Sequence, residues 1–222
     1  MNKQRLHEIF RSLYKTHGPQ HWWPARDRFE VMVGAVLTQN TAWVNVERAI
    51  EALERAGALD PHAILDLSDA RLARLIRPSG YFNVKAARLK SLCRWYVAKG
   101  GWQKLRHWPT GRLREALLSV HGIGPETADD IILYAFERPV FVVDAYTRRL
   151  LGRLGHTRAQ APYDDLRTAI ETALGPDTTL YNEYHALIVT HAKHVCRPKP
   201  LCGQCELKRG CAFQKGKGSS DF

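Results

Sequence analysis

Long hydrophobic runs are missing from this sequence. The longest apolar stretch, Val31 to Leu37, falls far short of the roughly 18 residues that a membrane-spanning helix requires. The N-terminus, MNKQRLHEIFRSLYK, is charged and amphipathic and lacks the organisation of a signal peptide. Together these absences exclude a membrane-spanning helix and lead us to expect a soluble, cytoplasmic protein. Strand signals are nearly absent as well. Only Pro139 to Val143 reads as β-like, and with no second run to pair with, it is expected to be an extended connector. Acidic residues are too few to balance the basic ones: 22 Asp and Glu stand against 33 Lys and Arg, a net charge of +11. Such a surplus suits a polyanionic partner, most simply nucleic acid, although generic solvated positive charge fits the number equally well.

What is present is helical. The 222 residues, 45% of them hydrophobic, suffice for one large domain or two small ones. Leu6, Ile9, Phe10, Leu13 and Tyr14 recur at helical spacing. Start signals at Asp60-Pro61, Ser68, Asn83, Thr110, Pro125 and Pro162, with stops at Gly57, Pro78, Gly100 and Gly175, divide the chain into about ten short helices. The fold class is therefore all-α, with no internal repeat. Residues 215–222 are rich in Gly, Ser and Lys, a composition expected to be disordered.

Five cysteines are an odd number, and four of them crowd one end. In a reducing compartment this argues for a metal site and against disulfides. Cys196, Cys202, Cys205 and Cys211 spell C-x5-C-x2-C-x5-C. Zinc sites more often use two C-x2-C knuckles far apart; one compact loop with a single C-x2-C suits a [4Fe–4S] cluster. Arg197, Lys199, Lys208 and Arg209 surround the cysteines, so a loop pinned by a cluster would present positive charge to phosphates. Cys93 shares a helix face with Leu89, Leu92 and Tyr96 and reads as core.

The second signal is LREALLSVHGIGPETADDIILYA. One apolar face carries Leu113, Leu117 and Leu118, and a second carries Ala128, Ile131, Ile132 and Ala135. Between them, His121-Gly122-Ile123-Gly124 forms a tight turn and Pro125 opens the next helix. Two glycines two apart permit a hairpin with a bare backbone. The amides at the start of the second helix then face outward, ready for a DNA phosphate. An ordinary αα-hairpin also favours Gly. Downstream, Asp144 ends the apolar run PVFVV and begins a helix. It reads as an N-cap and also as a carboxylate in a partly apolar site. In the second role it would stabilise an oxocarbenium-like sugar and orient an attacking water. The two roles are compatible.

The hairpin, the aspartate after it and the cysteine loop together resemble the endonuclease III branch of the helix–hairpin–helix DNA glycosylases, from about Phe29 to Cys211. The resemblance implies two helical domains with DNA in the cleft between them. Residues 25–137 would form a six-helix barrel bearing the hairpin, and residues 1–24 with 138–214 the [4Fe–4S] domain. It implies that Asp144 is catalytic and that His121, Gly122, Ile123, Gly124 and Thr127 meet DNA. Bifunctional members, which also cleave the backbone, carry a lysine in the hairpin motif; GIGPET has Glu126 there, and without an amine the usual Schiff base cannot form. The first cysteine gap is five residues, where six is usual in the family.

HWWPARDRFEVMVGAVLTQNTAW, RPSGYFNVKAARL and GIGPETAD resemble the monofunctional 3-methyladenine DNA glycosylases of the same group. A flipped base is usually held between aromatic side chains, and Trp22, Trp23, Pro24 and Trp43 are the candidates. An alkylated, cationic base stacks well on indoles, although the same tryptophans would serve in a core. Gln39 matches the glutamine that family members insert into the gap left by the flipped base; otherwise it is a polar residue at a helix end. Lys193 falls where a basic residue often sits in the family, as a DNA contact, a solvated lysine or a stray amine for weak lyase chemistry. The expected protein is a monomeric, monofunctional N-glycosylase acting on N-alkylated purines in damaged double-stranded DNA. The alternatives are a glycosylase and abasic-site lyase for oxidised pyrimidines, a mismatch glycosylase, and a non-catalytic damage sensor.

Overall fold

The computed structural model describes residues 1–158 and 160–216. They contain α1 (Lys3–His17), α2 (Arg28–Leu37), α3 (Trp43–Arg55), α4 (Pro61–Asp66), α5 (Asp69–Leu75), α6 (Phe82–Ala98), α7 (Gly101–Leu105), α8 (Thr110–Leu118), α9 (Pro125–Asp130), α10 (Ala145–Arg153), α11 (Tyr163–Leu174) and α12 (Thr178–His194). The all-α expectation holds, with no strand among the described residues. No helix among them is long and apolar enough to cross a membrane. The chain divides into two compact units. One is Trp23–Arg138; the other joins Met1–Trp22 to the chain from Pro139 onward. Most of the Gly/Ser/Lys-rich tail lies outside the described residues, but Lys215 and Gly216 close a turn on the carbonyls of Ala212 and Phe213.

In the Trp23–Arg138 unit the apolar run becomes the central helix. Every residue of α2 from Val31 to Leu37 is buried. A helix apolar on all sides has to be enclosed, and α3, α6 and a π-helical turn, Ile131–Ala135, pack around it. α4 and α5 lie on α6. Their starts follow the sequence signals. Asp60 accepts from the amides of His62 and Ala63 at 2.9 and 3.1 Å, and Ser68 accepts from that of Arg71 at 3.3 Å, as N-caps do. Cys93 is fully buried, and burial raises its thiol pKa to about 12. Two details differ from expectation. α6 begins at Phe82, behind a left-handed Tyr81, and Pro78 sits inside a 3-10 turn, Arg77–Ser79.

In the other unit α12 is central, with α1 and α10 against it and α11 beside α1. The Tyr184 hydroxyl donates to the Leu6 carbonyl at 2.9 Å, tying α12 to α1. Val140 to Val143 are buried and lie outside any helix or strand. With no neighbouring strand, their amides turn to α11: Phe141 donates to Glu171 at 2.8 Å and Val143 to the Tyr163 hydroxyl at 3.3 Å. Buried backbone donors need partners, and side chains supply them here.

Lys85 lies beneath the end of α2 and is only 1% exposed. Its ammonium donates to the carbonyls of Leu37 at 2.8 Å and Ser79 at 2.6 Å. Leu37 is the last residue of α2, where carbonyls lack partners in their own helix. Burial first, and then the Arg88 guanidinium, lowers the Lys85 pKa from 10.5 to about 8. The unfolded chain therefore binds more protons between these two values, and this group makes stability rise with pH across that window. Lys85→Met should cost about 2–4 kcal/mol in denaturant unfolding, because two buried carbonyls lose their donor. It should also remove the stability gained between about pH 8 and 10.5; an unchanged pH dependence would show that the gain arises elsewhere.

Candidate functional site

Asp144 caps α10. Its Oδ1 accepts from the Thr147 amide at 2.6 Å, and the side chain is held there by the buried strand-like segment before it and the helix after it. The residue is 8% exposed. The His185 Nε2, also buried, lies 3.5 Å from Oδ2. Burial pushes the carboxyl pKa up, but the His185 imidazole and the Thr147 amide and hydroxyl outweigh it and hold the group below the ordinary carboxylate value. Asp144 is thus an anion at neutral pH, fixed in direction by a helix N-terminus. Lys193 is exposed, with Nζ 5.9 Å from the centre of the Tyr146 ring. Partial desolvation of its ammonium lowers its pKa, and the field of Asp144 opposes that shift.

The hairpin joins α8 to a helical segment in which α9 runs directly into the π turn. Gly122 has φ +86°, and a Cβ there would meet Arg88 Cγ at 2.2 Å. Both the conformation and the close approach therefore require glycine. Gly124 is open, with nothing within 4 Å of a Cβ added to it. His121, Gly124 and Glu126 are exposed, whereas Ile123 and Thr127 are buried. Thr127 thus turns its side chain inward, where its hydroxyl accepts from Gln39 at 2.9 Å. Gln39 itself is half-buried against the hairpin, and the exposed tip of its loop is Asn40, with φ +53°. Arg114 clamps α8 to α9 through a two-pronged ion pair with the fully buried Asp129, at 2.7 and 3.1 Å.

The boundary between the compact units falls between Trp22 and Trp23. Within the Trp23–Arg138 unit, the Trp23 ring meets Trp43 edge-to-face at 5.1 Å and Tyr134 at 5.3 Å. Gly34 makes room for it, since a Cβ there would come within 2.9 Å of the indole. Trp43 donates to Glu47 at 2.8 Å. Trp22 is half-buried and Pro24 exposed.

Cys196, Cys202, Cys205 and Cys211 line one pocket, with Arg153, Lys208 and Phe213 among its other walls. Among the described residues, no group of Cys, His, Asp and Glu converges as ligands of a single metal ion do. A cubane of four irons and four sulfides sets its thiolates farther apart than one ion does, and four cysteines around a shared cavity fit that larger group. Arg153, 3% exposed, braces the loop. It donates to the carbonyls of Arg197 at 2.6 Å and Pro198 at 2.9 Å, and its Nη1 lies 3.4 Å from Cys196 Sγ. Arg149 donates to the carbonyls of Cys196 at 2.8 Å and Ala192 at 3.0 Å. His191 Nε2 lies 3.5 Å from Cys205 Sγ. Arg197, Lys199, Lys208 and Arg209 are exposed.

Residues 33–176 match the family described as HhH-GPD superfamily base excision DNA repair protein. The chain belongs to that superfamily. It is a DNA glycosylase of base excision repair, and its relatives cover it almost end to end. A Methanocaldococcus jannaschii protein provisionally named a DNA repair glycosylase is 46% identical over 211 residues, 94% of this chain and 96% of that protein. Endonuclease III of Thermotoga maritima is 28% identical over 220 residues, 97% and 96% of the two chains. Among solved structures, the H. pylori 3-methyladenine DNA glycosylase bound to 1,N6-ethenoadenine is 30% identical. It has a TM-score of 0.76 over 87% of this chain and 98% of that one. A trapped endonuclease III–DNA covalent intermediate shares the fold, with a TM-score of 0.83 at 21% identity, covering 98% and 99%.

Several side chains that touch the candidate residues or their supports escape a reading of the sequence. Tyr134 sits in an apolar helical run and looks like core until the π turn places it on Trp23. His185 precedes the cysteine loop by eleven residues and follows Asp144 by forty-one, with no motif linking them. Arg88, Arg149 and Arg153 read as surface charge, yet all three are aimed at backbone carbonyls or a side-chain amide. For Arg153 this has a measurable consequence. Arg153→Met should lower stability by about 2–4 kcal/mol, since buried carbonyls lose their donor, or roughly 5–15 °C in Tm for a chain of this size. A thermal melt of the purified variant tests it; a melt within about 2 °C of the parent would remove Arg153 from the supports of the loop.

Proposed function

We propose that this glycosylase is monofunctional and hydrolyses the bond between deoxyribose and an N-alkylated purine, such as 3-methyladenine, in double-stranded DNA. Two observations together carry the reading: Asp144 is buried, capped and ionised, and the hairpin presents an exposed Glu126 where the lyases it resembles carry lysine. Water attacks the anomeric carbon, the C–N bond breaks, and its electron pair leaves with the base. An alkylated purine departs as a neutral molecule, so little protonation is needed. Asp144 steadies the positive sugar and takes direction from the α10 N-terminus. The 30% identity to an H. pylori 3-methyladenine DNA glycosylase supports this lesion class.

The other roles follow. Trp22, Trp23, Pro24 and Trp43, with Tyr134 added, hold the flipped base by stacking. His121, Gly122, Ile123, Gly124 and the start of α9 at Thr127 engage DNA phosphates through backbone amides. Gln39 and Lys193 complete the DNA-contacting set. The Trp23–Arg138 unit is the hairpin domain and the other unit the cluster domain. Cys196, Cys202, Cys205 and Cys211 hold a [4Fe–4S] cluster, which when bound fixes the loop as a rigid element. The four exposed basic residues of that loop then face phosphates. The enzyme acts as a cytoplasmic monomer.

Asn caps helices as well as Asp does, so Asp144→Asn removes the charge and keeps the fold. It should cut excision of 3-methyladenine at least 100-fold, as expected of a charge that stabilises the transition state, while the affinity for lesion DNA is retained. Strand breaks should appear only after alkali treatment of the product. Full excision by Asp144→Asn would end the catalytic assignment. A lyase reading has one observation in its favour, the Lys193 amine in the field of Asp144. Efficient borohydride trapping on abasic DNA, lost in Lys193→Ala, would establish that reading in place of the monofunctional one.

A further inference from the structure

His191, on α12, is fully buried between a second histidine and a cysteine of the loop. Its Nδ1 lies 3.0 Å from His17 Nε2, and its Nε2 lies 3.5 Å from Cys205 Sγ. Its carbonyl accepts from the amides of Val195 at 2.8 Å and Cys196 at 2.9 Å. One residue thus touches two of the four candidate ligands, Cys196 through its backbone and Cys205 through its ring. His17 is half-buried and ends α1, and the chain that follows fixes its place. The Gln20 side chain donates to the carbonyls of His17 at 3.2 Å and Gly18 at 3.0 Å, and the Gln20 backbone amide donates to Glu183 at 2.8 Å. Thr190, next to His191, donates to the side-chain oxygen of Gln20 at 2.6 Å. The histidine pair is therefore tied to α12 from both sides, within one compact unit.

The two contacts decide where the ring hydrogen of His191 sits. Facing imidazole nitrogens share one hydrogen between them. If a neutral His191 supplied it from Nδ1, its Nε2 would turn a lone pair toward the sulfur. A cysteine that ligates iron is a thiolate, which only accepts. The arrangement that satisfies both contacts has His17 Nε2 donating to His191 Nδ1 and His191 Nε2 donating to Cys205 Sγ. A doubly protonated His191 would also carry a hydrogen on Nε2, so the assignment does not depend on its charge. A hydrogen bond to a cluster sulfur stabilises the more electron-rich state and so raises the reduction potential. We propose that His191 is a positioning residue of the cysteine loop: held in orientation by His17, it donates to the Cys205 thiolate and raises the reduction potential of the cluster bound there. This rests on the four cysteines holding a [4Fe–4S] cluster, as proposed above, and is independent of the lesion and of the lyase question.

Three variants of the full chain test the bond, with iron and sulfide counted and the midpoint potential measured by voltammetry without DNA. His191→Leu removes the donor. His191→Gln keeps an N–H near the place of Nε2. His17→Phe leaves His191 and all four cysteines in place and removes only the donor behind them. At a fixed potential, the ratio of reduced to oxidised cluster should fall roughly five- to tenfold in His191→Leu, the worth of one hydrogen bond. That is a negative shift of about 40–60 mV for one electron. His17→Phe should shift the potential less, in the same direction, and His191→Gln should keep most of the parent value. A histidine that only packs would change cluster yield or Tm and leave the potential of the loaded fraction alone. If His191→Leu takes up no cluster, the other two variants decide. An unchanged potential in loaded His191→Leu or in His17→Phe would overturn the proposal, and so would a fall in His191→Gln as large as in His191→Leu or larger than in His17→Phe. Parent protein without iron and sulfide would overturn the cluster itself, and the proposal with it.

Discussion

Short helices leave many carbonyls without partners, and in this chain buried cationic side chains answer them. With twelve α-helices among the described residues, a helix end comes every few residues, and each end leaves polar groups that burial would penalise. Lys85 supplies donors to the end of α2 and to the turn before α6. Arg149 and Arg153 do the same for the segment that carries Cys196. The two regions differ in chemistry but share this device. A basic side chain that looks like part of a surface charge is buried, and its stem packs while its head gathers carbonyls from separate pieces of backbone. Part of the +11 net charge is therefore architecture and is not available to DNA.

That division explains what the sequence discloses and what it hides. The helix starts at Asp60 and Ser68 are legible because a cap is a local device, fixed by the residue and the two or three amides after it. Asp144 is legible for the same reason, and so is the burial of Val31 to Leu37, which follows from composition alone. Tyr134, Arg88 and His185 are not legible. Each acts on a partner at least a helix away in the chain, and nothing in the spacing of either residue encodes the meeting. Thr127 is an intermediate case. Its place in the hairpin motif is plain, but the inward turn of its hydroxyl depends on Gln39, which lies 88 residues earlier. α7, of five residues, has no start signal of its own and is too short to show a full apolar period.

Chemistry at the candidate site depends on separating two functions in single residues. As a cap, Asp144 gains a fixed geometry from the Thr147 amide; as an anion, it keeps Oδ2 on the His185 side. Capping holds the charge in place without a dedicated scaffold. It also makes the carboxylate intolerant of movement in α10, whose far end is joined to the cysteine segment through Arg149 and Arg153. Disturbance of the cysteine loop thus reaches Asp144 along one nine-residue helix, a short path for a structural group to affect a chemical one.

The division into units also bears on the order in which the chain folds on the ribosome. Domains generally fold as units while synthesis proceeds. α2 and the elements that enclose it all lie within the continuous stretch Trp23–Arg138, so α2 can be enclosed by α3, α6 and the π turn as soon as residue 138 has emerged. α1 is made earlier and has to wait. Its neighbour α12 comes more than 160 residues later, and Leu6, Ile9 and Leu13 stay without their burying surface until then. The unit that carries the cysteines is the last to close, and the helix that opens the chain is among the final pieces to be seated.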